Sequence, residues 1–250
     1  MIVFGTGVLY GVPNTDQTGT AVANPTPVQF GVLQECAADL SFDSKYLYGA
    51  YQMPQYFGRG KGKFDFKAKF ADFSAQALAG LFFGNSASLV TALRAVVDNE
   101  VHAAATTVTI APPGSGVFAT DLGVRYQSTG IGFTRVASAP PVGSYSVVPA
   151  TGVYTFNASE SGNLLISYEY TGTSTTQFQV PFSNQLMGQA PSFLAELHLP
   201  YSGKQLTIKL NNCISSKFTN PFKNEDFSVS EFDFTALADA SNNIGTYSFA

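Results

Sequence analysis

Residues 61–73, KGKFDFKAKFADF, contain the clearest periodicity in the chain. Apolar side chains occupy alternate positions, and charged side chains occupy the positions between them. The apolar set is Phe64, Phe66, Ala68 and Phe70, and the charged set is Lys63, Asp65, Lys67 and Lys69. Because successive side chains of a strand point to opposite faces, this pattern predicts a strand with one buried and one hydrated face.

A short helix is predicted directly after this strand, over residues 75–83. Ser74 can cap its first turn, and Gly84 can end it. Leu78 and Leu81 would then lie on the same side of the helix. We expect that side to close the core of the sheet.

The segment that precedes the strand predicts an interaction surface. Residues 28–42 alternate imperfectly and predict another strand, whereas residues 43–62 place tyrosines among glycines and a proline. We interpret residues 43–62 as a contact loop, because it is too aromatic to be merely solvated. The candidate assembly contacts are Tyr46, Tyr48, Tyr51, Tyr56, Arg59 and Lys61.

An extended N-terminal arm is predicted over residues 1–27, where Gly, Thr, Asn and Pro recur in a loose pattern. Such an arm is poorly ordered in an isolated subunit unless a neighbour holds it. Our hypothesis is that the arm and the loop at residues 46–59 reach an adjacent ring or subunit.

The remainder of the chain predicts short strands separated by Gly and Pro. The clearest of them are 144–148, 153–157, 164–170, 177–182, 193–199, 205–211 and 228–235. The break at 158–162 predicts a hairpin between the two strands that flank it. The expected fold is mainly β, an antiparallel β-sandwich or half-barrel with one short α-helix. We expect a single domain over 28–250, in which 86–148 is a candidate insertion or elaboration.

The composition argues for a chain whose surface is covered by partners. Hydrophobic residues make up 45% and charged residues only 12% of the sequence. A soluble monomer normally carries more charge than this. The formal net charge of −4 argues against binding nucleic acid by neutralising its phosphates. No run approaches the roughly 18 apolar residues that a membrane span requires, and no convincing signal peptide is present, so we expect synthesis in the cytoplasm.

The motifs that could carry chemistry fail in their context. Residues 58–63 resemble a phosphate loop, but Phe64 stands where the hydroxyl belongs and a strand follows. His102 and His198 lack ligand neighbours for zinc, and the two cysteines, Cys36 and Cys213, match no metal spacing and are expected to be buried free thiols. We therefore predict that the chain has no catalytic, cofactor-binding or metal site and that it is not an enzyme.

Three stretches of the sequence together resemble one protein family. The first runs from Leu33 through Tyr48 and Gly60 to Gly84, the second covers 151–157, Gly162 and 166–170, and the third covers 184–191, 201–204, 212–213 and 227–234. In these turn and strand residues the chain resembles the tail tube proteins (major tail proteins) of bacteriophages. Residues 86–148 resemble the family least clearly.

The resemblance implies a structural virion protein. Its subunits would form hexameric rings that stack head to tail, and the joined sheets would line a large β-barrel lumen. The implied partners are other copies of the chain, a tape measure protein inside the lumen, and terminator and baseplate or distal tail proteins. Viral DNA would pass through the lumen without sequence-specific binding. The protein would not be anchored in a membrane, and it would assemble in the host cytoplasm.

Three other functions stay open at the level of sequence. Another ring component of a tail, such as a baseplate, distal tail or terminator protein, would form closed rings without long tubes. A β-sandwich glycosidase would use an acidic pair such as Glu231 and Asp233. A carbohydrate-binding module would use exposed tyrosines.

Overall fold

The structure, a computed structural model, describes residues 4–85, 88–90, 93–173 and 177–250. The chain divides into two compact units. Unit 1 comprises 1–88 and 180–250, and unit 2 comprises 89–179. Our expectation of one domain with a candidate insertion at 86–148 differs from this division, in which the second unit extends to residue 179.

Strands form most of both units. In chain order they are β1 (Val8–Pro13), β2 (Val28–Gln29), β3 (Gly31–Tyr48), β4 (Pro54–Phe73), β5 (Ser88–Val90), β6 (Arg94–Ala103), β7 (Thr107–Thr109), β8 (Val117–Tyr126), β9 (Thr134–Arg135), β10 (Ser144–Val148), β11 (Val153–Phe156), β12 (Asn163–Thr171), β13 (Gln177–Gln179), β14 (Ser192–Tyr201), β15 (Lys204–Thr219), β16 (Ser230–Leu237) and β17 (Gly245–Phe249). The prediction of a mainly β, antiparallel fold is confirmed.

Unit 1 is built on one eight-stranded sheet in the order β2-β1-β14-β15-β16-β4-β3, with β17 paired to β15. All of its pairs are antiparallel. Both β16 and β17 lie on the side of β15 opposite β14, one after the other along the strand. The sheet does not close into a barrel. Residues 8–13, which we expected within an extended arm, form β1 inside the sheet.

The apolar face of β4 forms part of the core of unit 1, as the periodicity predicts. Phe64, Phe66, Ala68 and Phe70 are all buried. Phe66 stacks on Phe234 of β16 with the ring centroids 4.8 Å apart. The core is therefore dominated by aromatic rings, which bury large apolar areas and favour such offset arrangements.

The predicted helix is present but differs in its geometry. Residues 75–77 form one α-helical segment, α1 (Ala75–Ala77), and Leu78–Phe82 continue it as a π-helix. Ser74 occupies the N-cap position without a side-chain cap hydrogen bond. Leu81 is fully buried against the sheet core, as expected. In the described part of the chain, no helix has the length and apolarity needed to cross a bilayer.

Unit 2 contains a four-stranded sheet, β7-β11-β10-β9, and a three-stranded sheet, β6-β12-β8. Side chains from both sheets share one core, which includes Tyr154, Phe156, Leu164 and Ile166. The predicted hairpin between 153–157 and 164–170 is wrong, because β11 pairs with β7 and β10 whereas β12 pairs with β6 and β8. The two strands lie in different sheets of the same core.

Two carboxylates, Asp121 and Glu160, accept hydrogen bonds from tyrosines of unit 2. The Asp121 carboxylate accepts hydrogen bonds from the hydroxyls of Tyr145 at 2.7 Å and Tyr154 at 2.9 Å. Burial, together with this carboxylate, raises the pKa of both tyrosines. The Tyr126 hydroxyl donates to Glu160, and this bond raises the pKa of Tyr126 to about 12. The hydroxyls of Tyr126, Tyr145 and Tyr154 are therefore each paired with a carboxylate.

The aromatic packing of unit 1 predicts a large cost for truncating one ring. We expect Phe234→Ala to reduce the free energy of unfolding of unit 1 by about 3–5 kcal/mol, because it opens a cavity beneath Phe66. The exposed Phe249→Ala serves as the control and should change it by about 0.5 kcal/mol or less. Urea unfolding followed by tyrosine fluorescence measures both, and equal losses would contradict the assigned core.

Candidate assembly interface

A long two-stranded ribbon is the most unusual feature of unit 1. Strands β3 and β4 contain 18 and 20 residues and are paired almost to their common turn at 49–53. Strand β16 flanks β4 only as far as Phe64, so residues 54–63 of β4 pair with β3 alone. Every residue from Ala37 to Lys63 is exposed. We call residues 41–63 the ribbon.

Aromatic and aliphatic side chains occupy both faces of the ribbon. Tyr46 and Phe57 are cross-strand neighbours with centroids 5.4 Å apart, and Tyr48 lies 6.5 Å from Tyr46 on the same face. Leu47 and Tyr56 form the next cross-strand pair and therefore point to the opposite face. Neither face of the ribbon is covered within the part of the chain that the structure describes.

The tip and the base of the ribbon also present large side chains. Tyr51 and Met53, in the turn, are each 78% exposed. Near the base, the Arg59 guanidinium lies 4.8 Å from the centre of the Phe42 ring, which is a cation–π geometry. A side chain at Gly62 would meet that ring at 2.7 Å, so the glycine leaves room for Phe42.

The structure places all six sequence-predicted contact residues on the ribbon or its turn. It brings Tyr46 and Tyr48 together, places Tyr56 on the other face and Tyr51 at the tip, and pairs Arg59 with Ser44. The six residues therefore lie on both faces and at the tip of the ribbon and do not form one patch. They are Tyr46, Tyr48, Tyr51, Tyr56, Arg59 and Lys61.

The prediction that residues 43–62 form a loop is wrong. Strand β3 extends to Tyr48 and β4 begins at Pro54, which leaves only 49–53 as a turn. Sequence reasoning also missed Leu47, Met53 and Phe57 as exposed apolar residues of this surface. Alternation continues through the segment, but its glycines and proline suggested a break.

The face of the sheet opposite the core carries balanced charges. Lys69 of β4 donates to Glu35 of β3 at 2.6 Å, and Lys217 of β15 donates to Glu231 of β16 at 2.9 Å. These bonds raise the pKa of both lysines and lower that of Glu231. Lysine and carboxylate therefore alternate across four neighbouring strands, which we call the ionic row.

The candidate carboxylate pair, Glu231 and Asp233, belongs to this same face. Glu231 forms an ion pair with Lys217. The pKa of Asp233 is raised, mainly by burial and to a smaller extent by the negative charge of Glu231. Asp233 lies opposite Lys67 and Lys217 in the two neighbouring ladders. The pair is embedded among cations on a sheet face, an arrangement that strand pairing alone explains.

The histidines and cysteines are not part of the ribbon. His198 Nδ1 is 3.2 Å from the Thr207 hydroxyl, and His102 Nε2 is 3.2 Å from Glu100. Across the residues that the structure describes, no group of three or more His, Cys, Asp or Glu side chains could hold a metal ion. Both cysteines are free, and burial raises the pKa of Cys213 to about 12.

The sequence matches no family model and no curated protein.

Shortening the ribbon tests whether it stabilises the subunit or serves contacts. We expect replacement of residues 45–58 by an Asn-Gly turn to leave the unfolding temperature of unit 1 within a few degrees, because all of the removed side chains are exposed. Self-association measured by sedimentation velocity should fall to that of a monomer. A matched control replaces residues 202–203, the turn between β14 and β15, by Asn-Gly. Unchanged association of the shortened chain would contradict the contact role.

Proposed function

We propose that this chain is a structural subunit of a bacteriophage tail tube. Its copies form hexameric rings that stack into a hollow tube, which conducts DNA from the capsid to the host cell. In this proposal the protein resides in the virion, a tape measure protein occupies the lumen before DNA enters, and terminator and baseplate or distal tail proteins end the tube. The resemblance of the sequence to tail tube proteins, three features of unit 1 and the composition of the whole chain support the proposal.

The ribbon is the observation that carries it. An isolated two-stranded hairpin is at best marginally stable in water, because neither face has a core to pack on. This one exposes Tyr46, Leu47, Tyr48, Tyr56 and Phe57 on its two faces. Exposed apolar surface of this kind marks an interaction site. Contact with further copies would cover both faces of the ribbon.

Open strand edges provide a second reason to expect self-assembly. In the described part of the chain, β3 pairs only with β4 and β17 pairs only with β15. Each strand therefore leaves one row of backbone N–H and C=O groups without a ladder partner. Such edges promote uncontrolled pairing unless they are covered. A head-to-tail ring covers them with the edges of neighbouring copies and joins the sheets around a lumen.

The ionic row is consistent with a wall that does not grip DNA. Lys63, Lys67 and Lys69 alone would attract phosphates, and a tube that binds its cargo would slow its passage. Asp65, Glu35 and Glu231 lie beside these lysines, with Lys63 and Asp65 only 2.8 Å apart. The face is therefore polar without a large net positive charge.

The low share of charged residues is the fourth feature. At 12% charge, an isolated subunit has few ionised groups with which to keep itself dispersed. The formal net charge of −4 also argues against binding nucleic acid by neutralising its phosphates.

Electron microscopy of the purified chain tests the proposal. At high protein concentration we expect hollow tubes of stacked sixfold rings, with sedimentation velocity showing the matching large species. Closed rings that never elongate would instead favour the other tail components. A stable monomer at every concentration would contradict the proposal, and glycan-array binding by that monomer would favour a carbohydrate-binding module.

A further inference from the structure

The ribbon and the connection between β15 and β16 lie at opposite ends of the same sheet. Strand β16 is antiparallel to β4, with Ser230 opposite Phe70, so residues 220–229 lie beyond the end of β4 that is remote from the turn at 49–53. The span from Pro54 to Phe70 corresponds to roughly 50 Å at about 3.3 Å per residue. We call residues 220–229, together with Asp72, the distal end.

The ribbon is basic as well as apolar. The ribbon, residues 41–63, includes four cations and one acid, Asp43. Lys63 is paired with Asp65, whereas Lys45, Arg59 and Lys61 form no ion pair within the described residues. Tyr51 and Met53 lie beyond these cations at the tip. A partner for this surface must therefore supply both apolar area and negative charge.

The distal end has the complementary chemistry. Phe222 is 87% and Phe227 is 90% exposed, which is rare for residues that have no partner. Glu225 and Asp72 are exposed and form no ion pair among the described residues, whereas Asp226 is paired with Lys223 at 3.3 Å. The end thus offers two exposed phenylalanines beside two unpaired carboxylates.

We propose that the ribbon of one copy docks on the distal end of a second copy, and that this contact is the one that stacks successive rings. This inference rests on the proposed function and specifies which surfaces the stacking uses. Because the two surfaces differ and lie at opposite ends of the sheet, the contact is heterologous and repeats along an axis without closing. Lys45 and Lys61 of the ribbon face Glu225 and Asp72 of the next copy, while Tyr51 and Met53 contact Phe222 and Phe227.

A charge exchange tests this contact. One variant carries Lys45→Glu and Lys61→Glu, and a second carries Asp72→Lys and Glu225→Lys. Each juxtaposes like charges, so we expect each to reduce the pelleted tube mass roughly tenfold or more while single rings remain visible by electron microscopy. A third variant carries all four changes, which restores opposite charges, and its tubes should return.

The controls separate failure of this contact from failure of the proposed function. Arg125→Glu, an exposed arginine of unit 2 with no ion pair in the described residues, should leave the tube mass unchanged. Circular dichroism checks that all variants are folded. Normal tubes from both double variants, or no recovery in the fourfold variant, would overturn the docking contact while the wild-type tubes still support the proposed function. Absence of rings in the wild type would overturn the proposed function itself.

Discussion

The need to pair backbone groups and cover apolar faces shapes this molecule. A strand is stable when both of its edges have hydrogen-bonding partners and its apolar face is covered. Strand β4 meets this condition from Phe64 to Phe70, between β3 and β16, and fails it from Pro54 to Lys63. Within this one strand, residues 64–70 contribute to the core of unit 1, whereas residues 54–63 have no element packed on either face among the described residues. In the proposed tube, other copies of the chain would supply that cover.

Charge is used sparingly, and its placement follows the sheet. On the face opposite the core, Lys69 and Lys217 lie beside carboxylates of neighbouring strands. Exposed pairs of this kind contribute little to stability, so their main effect is to keep the face polar and nearly neutral. On the ribbon, Lys45, Arg59 and Lys61 form no ion pair among the described residues. The difference between matched charge on the sheet and unmatched charge on the ribbon is what singles the ribbon out as a surface for a partner.

Sequence periodicity predicted those features of the fold that depend on the order of residues within one segment. The buried face of β4 and the short helical segment followed from alternation and capping signals, and Phe66 is buried as expected. The pairing of β11 and β12 did not follow, because two strands joined by a turn can also belong to opposite sheets of one core. Gly58, Gly60 and Pro54 predict a loop in place of the ribbon because they suggest breaks, although glycine in a strand also marks the close approach of another group. Phe42, packed over Gly62, is such a group.

Unit 2 is a compact unit with a core of its own, separate from the surfaces proposed for contacts between copies. It has its own aromatic core and its own paired carboxylates, and its first and last segments meet where the Gly172 N–H donates to the Leu93 carbonyl. An inserted segment whose ends lie close together interrupts a host fold little, because the host can close the same gap with a short turn. The ribbon, the open edges and the distal end all belong to unit 1. In the proposed tube, the surfaces assigned to contacts between copies therefore all lie in unit 1.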